Sequence, residues 1–413
     1  MARSYIQRLT SISHLLTPHT KAVLAPSLTQ LHPQRFLHST TAIPTSHKRS
    51  LYSKATATIT LRSPSISPSA LPNTSPPSLD HDATISNNVA DGPFQFIANA
   101  AWHPKKRTST HLRSKPNDPY WHRHKVNAGE DAFYKTVTPK GLSMGVADGV
   151  GGKYQMSMWK GTTKPPLLFI IQGWANLGVD PALFSWTLMG NAATAAKENT
   201  TAYEILDRAF WKLQHDRNVP AGSSTACILD LCTSTGKMTT CNLGDSAFLL
   251  IRDEKVIYQS QSQQHYFNCP YQLTVVPDTY VDRDSFVMDL PEDSDQASFF
   301  LKAGDLIVLA TDGYFDNMYT HETLALVNKA MGMIKHQVDA QRVAVAVHDM
   351  ARLLADTAKF LSMDHARLSP WAKEARAHGS PYMGGKSDDI TLVVTLVQGA
   401  VDQDAALGNG HPS

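Results

Sequence analysis

The sequence predicts an α+β fold in which antiparallel sheets are covered by helices. Short β-branched or apolar runs bounded by turn residues alternate with longer stretches of helical periodicity, a pattern that favours a layered α+β architecture. Hydrophobic residues make up 42% of the chain, which is typical of a globular protein with a sizeable core. The length of 413 residues indicates one large domain with extensions, and two domains are the alternative.

The N-terminal stretch differs from the rest of the chain in charge. Residues 1–79 contain no Asp or Glu but eight Lys or Arg, and apolar residues near the start recur at helical spacing. A basic, acid-free, Ser-rich stretch of this kind is typical of a mitochondrial transit peptide. We predict a transit peptide over 1–45, a disordered linker over 46–92 and a mitochondrial, matrix location. A plain disordered tail or a plastid signal is the alternative.

The remaining composition excludes several classes of protein. The rest of the chain is net acidic, which argues against a nucleic-acid partner. The four cysteines form no C-x-x-C pair and no zinc-binding spacing, so we expect reduced thiols. No run approaches the ~20 apolar residues that span a bilayer. We expect a soluble monomer with one folded domain over 93–399 and a disordered tail over 400–413.

The strand signals are apolar runs that end in Gly, Asp or Thr-Gly turns. We predict a strand over 142–147, paired strands over 225–231 and 238–251, a hairpin of 298–301 with 306–310, and a last strand over 390–397.

The helix signals begin at Asp180-Pro181, where an N-cap residue precedes a first-turn proline. The apolar residues that follow, including Phe184 and Leu188, form one helical face. Residues 320–333 and 338–360 show helical periodicity with few helix-breaking residues.

Acidic residues lie at the tips of the predicted strands. Asp148 and Asp312 each follow an apolar run and precede a glycine, and the Asp388-Asp389 pair directly precedes the last strand. Carboxylates gathered at a sheet edge repel one another unless a cation lies among them. Sites with oxygen ligands only suit Mg²⁺, Mn²⁺ or Ca²⁺. Two such ions can activate a shared water as hydroxide, so the residues point to metal-assisted phosphoester hydrolysis.

A single Asp-Gly after a strand is more often a turn than a metal ligand. The strand-tip acids taken together, in this order along the chain, indicate a metal site more specifically than any one of them. The set resembles the motifs of the PPM (type 2C) protein phosphatases, and two further motifs resemble its mitochondrial branch, type 2C homologue seven. The family motifs are Gly129–Ala132, Val146–Gly152, Gly222–Ala226, Asn242–Ser246, Ala310–Met318 and Gly385–Thr391; those of the branch are Gly178–Pro181 and Gln263–Asn268.

The resemblance implies a PPM-type β-sandwich of two antiparallel sheets flanked by helices, with two Mg²⁺ or Mn²⁺ ions at one end. By motif, Asp148 would bridge both ions and act with Asp312 in catalysis. The other implied metal residues are Glu130 and the Gly149 carbonyl on one ion, Asp388 with Asp312 on the second, Asp131 through water, and Asp245 and Asp316 on a weaker third ion.

The chain departs from the family pattern at two positions. Many relatives have a His, proposed as general acid, where this chain has Val150. Many also have a phosphate-binding Arg shortly before the metal-binding Glu. The nearest cations here lie at 123–125, and we predict that Lys125 binds phosphate. His265 is an alternative acid, although a lone loop His is more often structural.

Residues 153–173 interrupt the resemblance, because their removal would join Gly152 directly to Trp174 as in relatives. Gly152-Lys153-Tyr154 can be encoded by a sequence that contains a common splice donor. We predict a retained intron, and a genuine loop is the alternative.

The predicted function is Mg²⁺- or Mn²⁺-dependent hydrolysis of phosphoserine and phosphothreonine on mitochondrial proteins by a metal-bridged hydroxide. The alternative is a catalytically impaired, phosphatase-like binding module, which Val150, the missing Arg and the 153–173 insertion would favour.

Overall fold

The computed structural model describes residues 84–85, 92–105, 126–151, 174, 179–198, 200–278, 280, 283, 286–334 and 340–399. The predicted transit peptide, the 153–173 segment and the tail lie outside these residues. Of the predicted linker, Thr84–Ile85 forms a two-residue strand. Within the described ranges, no helix is both long and apolar enough to cross a bilayer.

The larger sheet has six antiparallel strands and joins the two ends of the domain. The last strand of the chain pairs with the first long strand over ten residues, from Ile390 opposite His103 to Gly399 opposite Phe94. Numbered along the chain and given in spatial order, its strands are β1 (Thr84–Ile85), β2 (Phe94–His103), β15 (Ile390–Gly399), β14 (Leu306–Ala310), β8 (Ala247–Arg252) and β9 (Lys255–Gln259).

The second sheet has five antiparallel strands. The described residues also form two small two-stranded sheets. In spatial order the five strands are β13 (Asp295–Phe300), β7 (Lys237–Leu243), β6 (Ala226–Cys232), β4 (Gly141–Asp148) and β3 (Asp131–Val137). The small sheets pair β10 (Gln264–Tyr266) with β11 (Cys269–Pro270), and β12 (Leu273–Val275) with β5 (Gly222–Ser224).

The two large sheets pack face to face around one apolar core. Phe96 and Ile307 from the first sheet and Phe133, Met144 and Leu229 from the second belong to one cluster of buried side chains. Because alternate residues of a strand point to opposite faces, the neighbours of these residues face outwards. The predicted β-sandwich of two antiparallel sheets is confirmed.

Helices cover both outer faces. Asp180 caps the first helix as predicted, since its carboxylate accepts a hydrogen bond from the Ala182 N–H at 3.1 Å. The helices over 181–195 and 202–214 pack on the outer face of the five-stranded sheet, and the long helix over 340–362 packs on β2 and β15. In chain order the α-helices of the described residues are α1 (Pro181–Ala195), α2 (Ala202–Gln214), α3 (Asp312–Phe315), α4 (Thr320–Ile334), α5 (Ala340–Ser362) and α6 (Pro370–Ala377).

One predicted strand pairing is wrong, and a second is confirmed over only part of its predicted length. β13 and β14 do not form a hairpin, because β13 pairs with β7 while β14 pairs with β8 and β15. The predicted pairing of 225–231 with the 238–251 stretch is confirmed over β6 and β7, but the stretch divides into β7 and β8, which lie in different sheets. At the first corner, Asp305 is fully buried and accepts two hydrogen bonds from Arg252 of β8, at 2.6 and 2.7 Å. The turn residues were therefore identified correctly, but the turns carry the chain from one sheet to the other.

Candidate metal centre

The predicted acids meet at one end of the sandwich. Asp131 is the first residue of β3 and Asp148 the last residue of β4, and the two lie directly opposite each other in the ladder. On the other sheet, Asp312 follows β14 and Asp388 precedes β15; the two strands pair with Ala310 opposite Leu392. The sheets are linked here by the buried Thr311 hydroxyl, which donates to Asp131 Oδ2 at 2.9 Å.

Asp389 organises the backbone at this end of the fold. Its buried carboxylate accepts hydrogen bonds from the Glu130 N–H at 2.9 Å and from the Lys105 N–H at 2.6 Å. A Cβ atom on Gly313 would lie 1.9 Å from the Asp389 carbonyl oxygen. Only a residue without a side chain permits this approach, and the glycine after Asp312 thus brings α3 against the start of β15.

The Asp148 peptide is fixed from both sides. Its N–H donates to Thr225 Oγ1 at 3.1 Å, and its carbonyl accepts from the Ser224 hydroxyl at 2.7 Å and from the Thr225 N–H at 3.0 Å. Next to it, a Cβ atom on Gly149 would lie 2.8 Å from the Glu130 carbonyl oxygen. The turn predicted from the sequence therefore packs closely against the residue before β3.

Two lysines that the sequence analysis missed lie among the acids. Lys105 Nζ is 2.9 Å from Glu130, 3.1 Å from Asp388 and 3.6 Å from Asp389. Lys386 Nζ is 2.6 Å from both Asp312 and Asp316, and 3.3 Å from Asp388. The position of Lys386 two residues before Asp388 was a usable signal. Lys105 carried none, because it reaches the site only through the pairing of β2 with β15.

The acids outnumber these two lysines, and most of the acids that are buried together have raised pKa values. Burial, followed by the charge of Asp312, raises the pKa of Asp148 and of Asp245 well above the ordinary value. Burial and Asp389 do the same for Asp131. Burial also raises the pKa of Asp316 to about 8, against the opposing effect of Lys386.

Asp388 behaves differently from its neighbours. Burial opposes its ionisation, but Lys386 and Lys105 together hold its pKa below the ordinary value. The same arrangement raises the pKa of both lysines, although burial alone would lower it. The ammonium groups therefore stay charged, and they compensate only part of the negative charge of the cluster.

The donor set fits hard divalent cations. Asp131 Oδ1, Asp245 Oδ1 and Asp312 Oδ1 are buried and have no hydrogen-bond partner among the described residues. Carboxylate oxygens without a donor are suited to Mg²⁺ or Mn²⁺. Within the described ranges, no three His, Cys, Asp or Glu side chains already enclose one point as a finished metal site. Binding of an ion therefore requires some of these carboxylates, and the Lys105 ammonium, to turn.

A polar cavity of about 350 Å³ adjoins the acids. It is lined by Asp245, Asp312 and Asp316 on one side and by residues of the 259–264 segment and of α6 on the other. The cavity therefore leaves open space beside the acidic end of the sandwich.

The structure therefore brings together Glu130, Asp131, Asp148, Gly149, Asp245, Asp312, Asp316 and Asp388, and their role as metal ligands stays a prediction. Lys125 lies outside the described residues. His265 is held by Asp289, with Nε2 3.0 Å from both carboxylate oxygens, and its ring stacks on Tyr271 at 4.2 Å. These contacts favour a structural role for His265.

The two flanks of the 153–173 segment lie close together. The Val150 N–H donates to the Ser223 carbonyl at 3.0 Å, and Trp174 Nε1 donates to the Ser223 hydroxyl at 2.7 Å. Both sides of the segment are thus anchored on one residue of β5.

Comparison with known proteins agrees with this geometry. Residues 177–398 match the family model described as stage II sporulation protein E (SpoIIE). The chain is similar to "Protein phosphatase PTC7 homolog fig" of Drosophila willistoni, with 36% identity over 274 residues, 65% of this chain and 77% of that protein. It is similar to the human "Protein phosphatase PTC7 homolog", with 34% identity over 274 residues, 65% of this chain and 79% of that protein. Among solved structures, it is similar to the photosystem II phosphatase PBCP, with a TM-score of 0.53 and 26% identity, covering 73% of this chain and 98% of that one.

Proposed function

The chain belongs to the PPM (type 2C) family of serine/threonine protein phosphatases, and on that basis we propose that it hydrolyses phosphoserine and phosphothreonine on mitochondrial proteins with Mg²⁺ or Mn²⁺ as cofactor. The observation that supports this most is the meeting of carboxylates from both sheets at one end of the sandwich, with buried oxygens that no described residue satisfies.

We assign two ions to these acids. Asp148 would contact both, with Glu130 and the Gly149 carbonyl on the first and Asp312 and Asp388 on the second. When bound, the ions lower the pKa of water and neutralise the charge of the phosphoryl group. The chain contributes ligands whose backbone is already fixed, so that reorganisation on binding is confined to side chains.

Lys105 is our candidate for the cation that binds the substrate phosphate. Its backbone N–H is anchored on Asp389 at 2.6 Å, whereas its side chain is 31% exposed and ends 2.9 Å from Glu130. An ion on Glu130 would repel the ammonium group, which can then pair with a phosphate oxygen at the open side of the site. Lys125 stays the prediction from the sequence for the same role.

We propose that a solvent water protonates the leaving oxygen. Val150 is buried and has no titratable side chain, and its N–H is used by Ser223. His265 is bound to Asp289. The polar cavity beside Asp312 supplies room for water next to the departing serine or threonine.

The test is release of inorganic phosphate from a phosphothreonine peptide by the purified chain. We expect turnover with Mg²⁺ or Mn²⁺, none with EDTA, and none with the Asp312→Asn variant in either condition. Asp230→Asn is the matched control, because Asp230 is also buried but lies within β6. Absence of turnover under all metal conditions, with a folded wild-type protein, would favour the phosphatase-like binding module instead.

We propose a mitochondrial matrix location for the mature enzyme, a monomeric state and phosphoproteins as its partners. The acid-free, basic composition of residues 1–79 supports the location. Incubation of the radiolabelled chain with isolated mitochondria should produce a shorter, protease-protected form that begins near residue 46. Full-length, protease-sensitive protein after incubation would contradict the location.

We also propose that residues 153–173 are absent from the active enzyme. Val150 and Trp174, which flank the segment, both bind Ser223. Because the two residues are this close, a 21-residue segment is not needed to connect them. Transcript reads across the region provide the test: a spliced form should dominate, and abundant reads with no spliced form would refute the proposal.

A further inference from the structure

The Lys386 ammonium group lies in the part of the acidic cluster formed by Asp312 and Asp316. Nζ is 2.6 Å from an oxygen of each and 3.3 Å from Asp388. The side chain is 19% exposed, and the Trp371 ring lies 5.9 Å from Nζ on another side. A cation is therefore already present where these acids converge.

The position of this ammonium group is set by the fold. The Asn317 side chain is fully buried and holds the Lys386 backbone from both sides. The Lys386 N–H donates to Asn317 Oδ1 at 2.9 Å, and Asn317 Nδ2 donates to the Lys386 carbonyl at 2.9 Å and to the Gly313 carbonyl at 2.8 Å. Because the carboxamide joins Lys386 to the turn after Asp312, the lysine and the acids are held as one unit.

A divalent ion on Asp312 and Asp316 would compete directly with this group. Oδ2 of each carboxylate is 2.6 Å from Nζ, and a second cation on these two oxygens would be repelled strongly by the ammonium group. Asp312 Oδ1, in contrast, has no hydrogen-bond partner among the described residues and stays available to the ion shared with Asp388. Lys105 differs, since its side chain is more exposed, at 31%, and no described residue encloses its backbone as Asn317 encloses that of Lys386.

We propose that Lys386 is a built-in cation that takes the place of a third divalent ion on Asp312, Asp316 and Asp245. The chain then binds divalent ions only at the two positions around Asp148. This inference rests on the proposed function for the identity of those two positions, and it concerns the number of ions and not the reaction.

The experiment is a Mn²⁺ titration of the full chain, with free Mn²⁺ measured by electron paramagnetic resonance. We expect two ions per chain for the wild type and for Lys386→Arg, which keeps the charge. Lys386→Met should gain a third, weaker ion, and adding Asp316→Asn to it should remove that ion again. Lys373→Met, at an exposed position on α6, is the control for loss of a positive charge and should bind two ions.

Other outcomes would overturn the inference. A wild type that binds three ions, one of which is lost in Asp316→Asn, would show that Lys386 yields to the metal. A folded Lys386→Met variant that still binds two ions would show that the lysine does not exclude a third. In both cases the proposed function stands, whereas a wild type that binds no Mn²⁺ would remove both proposals.

Discussion

Replacing Asp148 with asparagine should stabilise the metal-free protein. Asp148 lies directly opposite Asp131, and directly opposed residues on paired antiparallel strands have Cβ atoms ~5 Å apart. Two negative charges at about that distance repel by about 3 kcal/mol at an effective dielectric constant of ~20. Because burial and neighbouring carboxylates raise the pKa of both groups, protonation relieves part of the repulsion. We expect Asp148→Asn to raise the free energy of unfolding in EDTA by about 1–3 kcal/mol, and by more at pH 8 than at pH 5.

The order of stability of the wild type and Asp148→Asn should reverse when Mg²⁺ or Mn²⁺ is present. A ligand that binds only the folded state at 100 times its Kd adds about 2.7 kcal/mol, and the variant lacks the carboxylate assigned to both ions. The wild type should therefore become the more stable protein. Urea unfolding followed by circular dichroism, with EDTA and with saturating metal, measures both values.

Asp230→Asn is the control for this reversal, because it removes a buried carboxylate away from the acidic cluster. Its effect on stability should be the same with and without metal. If Asp148→Asn also shows one sign in both conditions, Asp148 does not bind a metal ion and the assignment is refuted.

Three further predictions follow from the same structure. Lys105→Met should lower kcat/KM for a phosphopeptide by about 10–100-fold through loss of a charge-assisted phosphate contact without reducing the number of Mn²⁺ ions bound; unchanged kinetics would exclude Lys105 from phosphate binding. Gly313→Ala places a methyl group 1.9 Å from the Asp389 carbonyl oxygen, and the shift of Asp312 should lower turnover by more than about 10-fold in a protein that is still folded by circular dichroism; wild-type turnover would contradict the close packing of α3. Burial raises the pKa of Asp230 to about 6 from 3.8, against the effect of Lys140, so the folded state binds this proton more tightly and the free energy of unfolding should fall as pH rises from about 4 to 6. Asp230→Asn should therefore be more stable than wild type by about 1–3 kcal/mol at pH 8 and equal to it below about pH 4, and an equal advantage in urea unfolding at both pH values would refute the assignment.

The strand-tip acids could be predicted because each depends on a local pattern. Asp148 and Asp312 follow apolar runs and precede glycines, and a strand must place its terminal residues at an edge of its sheet. The Asp180 cap and the last strand were predictable for the same reason, since capping and β-branched runs act over a few residues.

The assignment of the strands to two separate sheets could not be predicted, because it depends on contacts between distant parts of the chain. The turn at 303–305 has the composition of a hairpin, but Asp305 is bound by Arg252, 53 residues away. Likewise, Lys105 reaches Asp388, 283 residues away, only after β2 has paired with β15. The change of sheet between β13 and β14 and the position of Lys105 are both of this non-local kind, whereas Lys386 lies two residues before Asp388 and carries a local signal.

The proposed function depends on two divalent ions around Asp148, and anomalous diffraction from a Mn²⁺-soaked crystal tests their presence most directly. We predict two anomalous peaks, one beside Glu130 and the Gly149 carbonyl and one between Asp312 and Asp388, with Asp148 in contact with both. Peaks elsewhere in the molecule, or none at saturating Mn²⁺, would contradict the assignment of this end of the sandwich as the catalytic site.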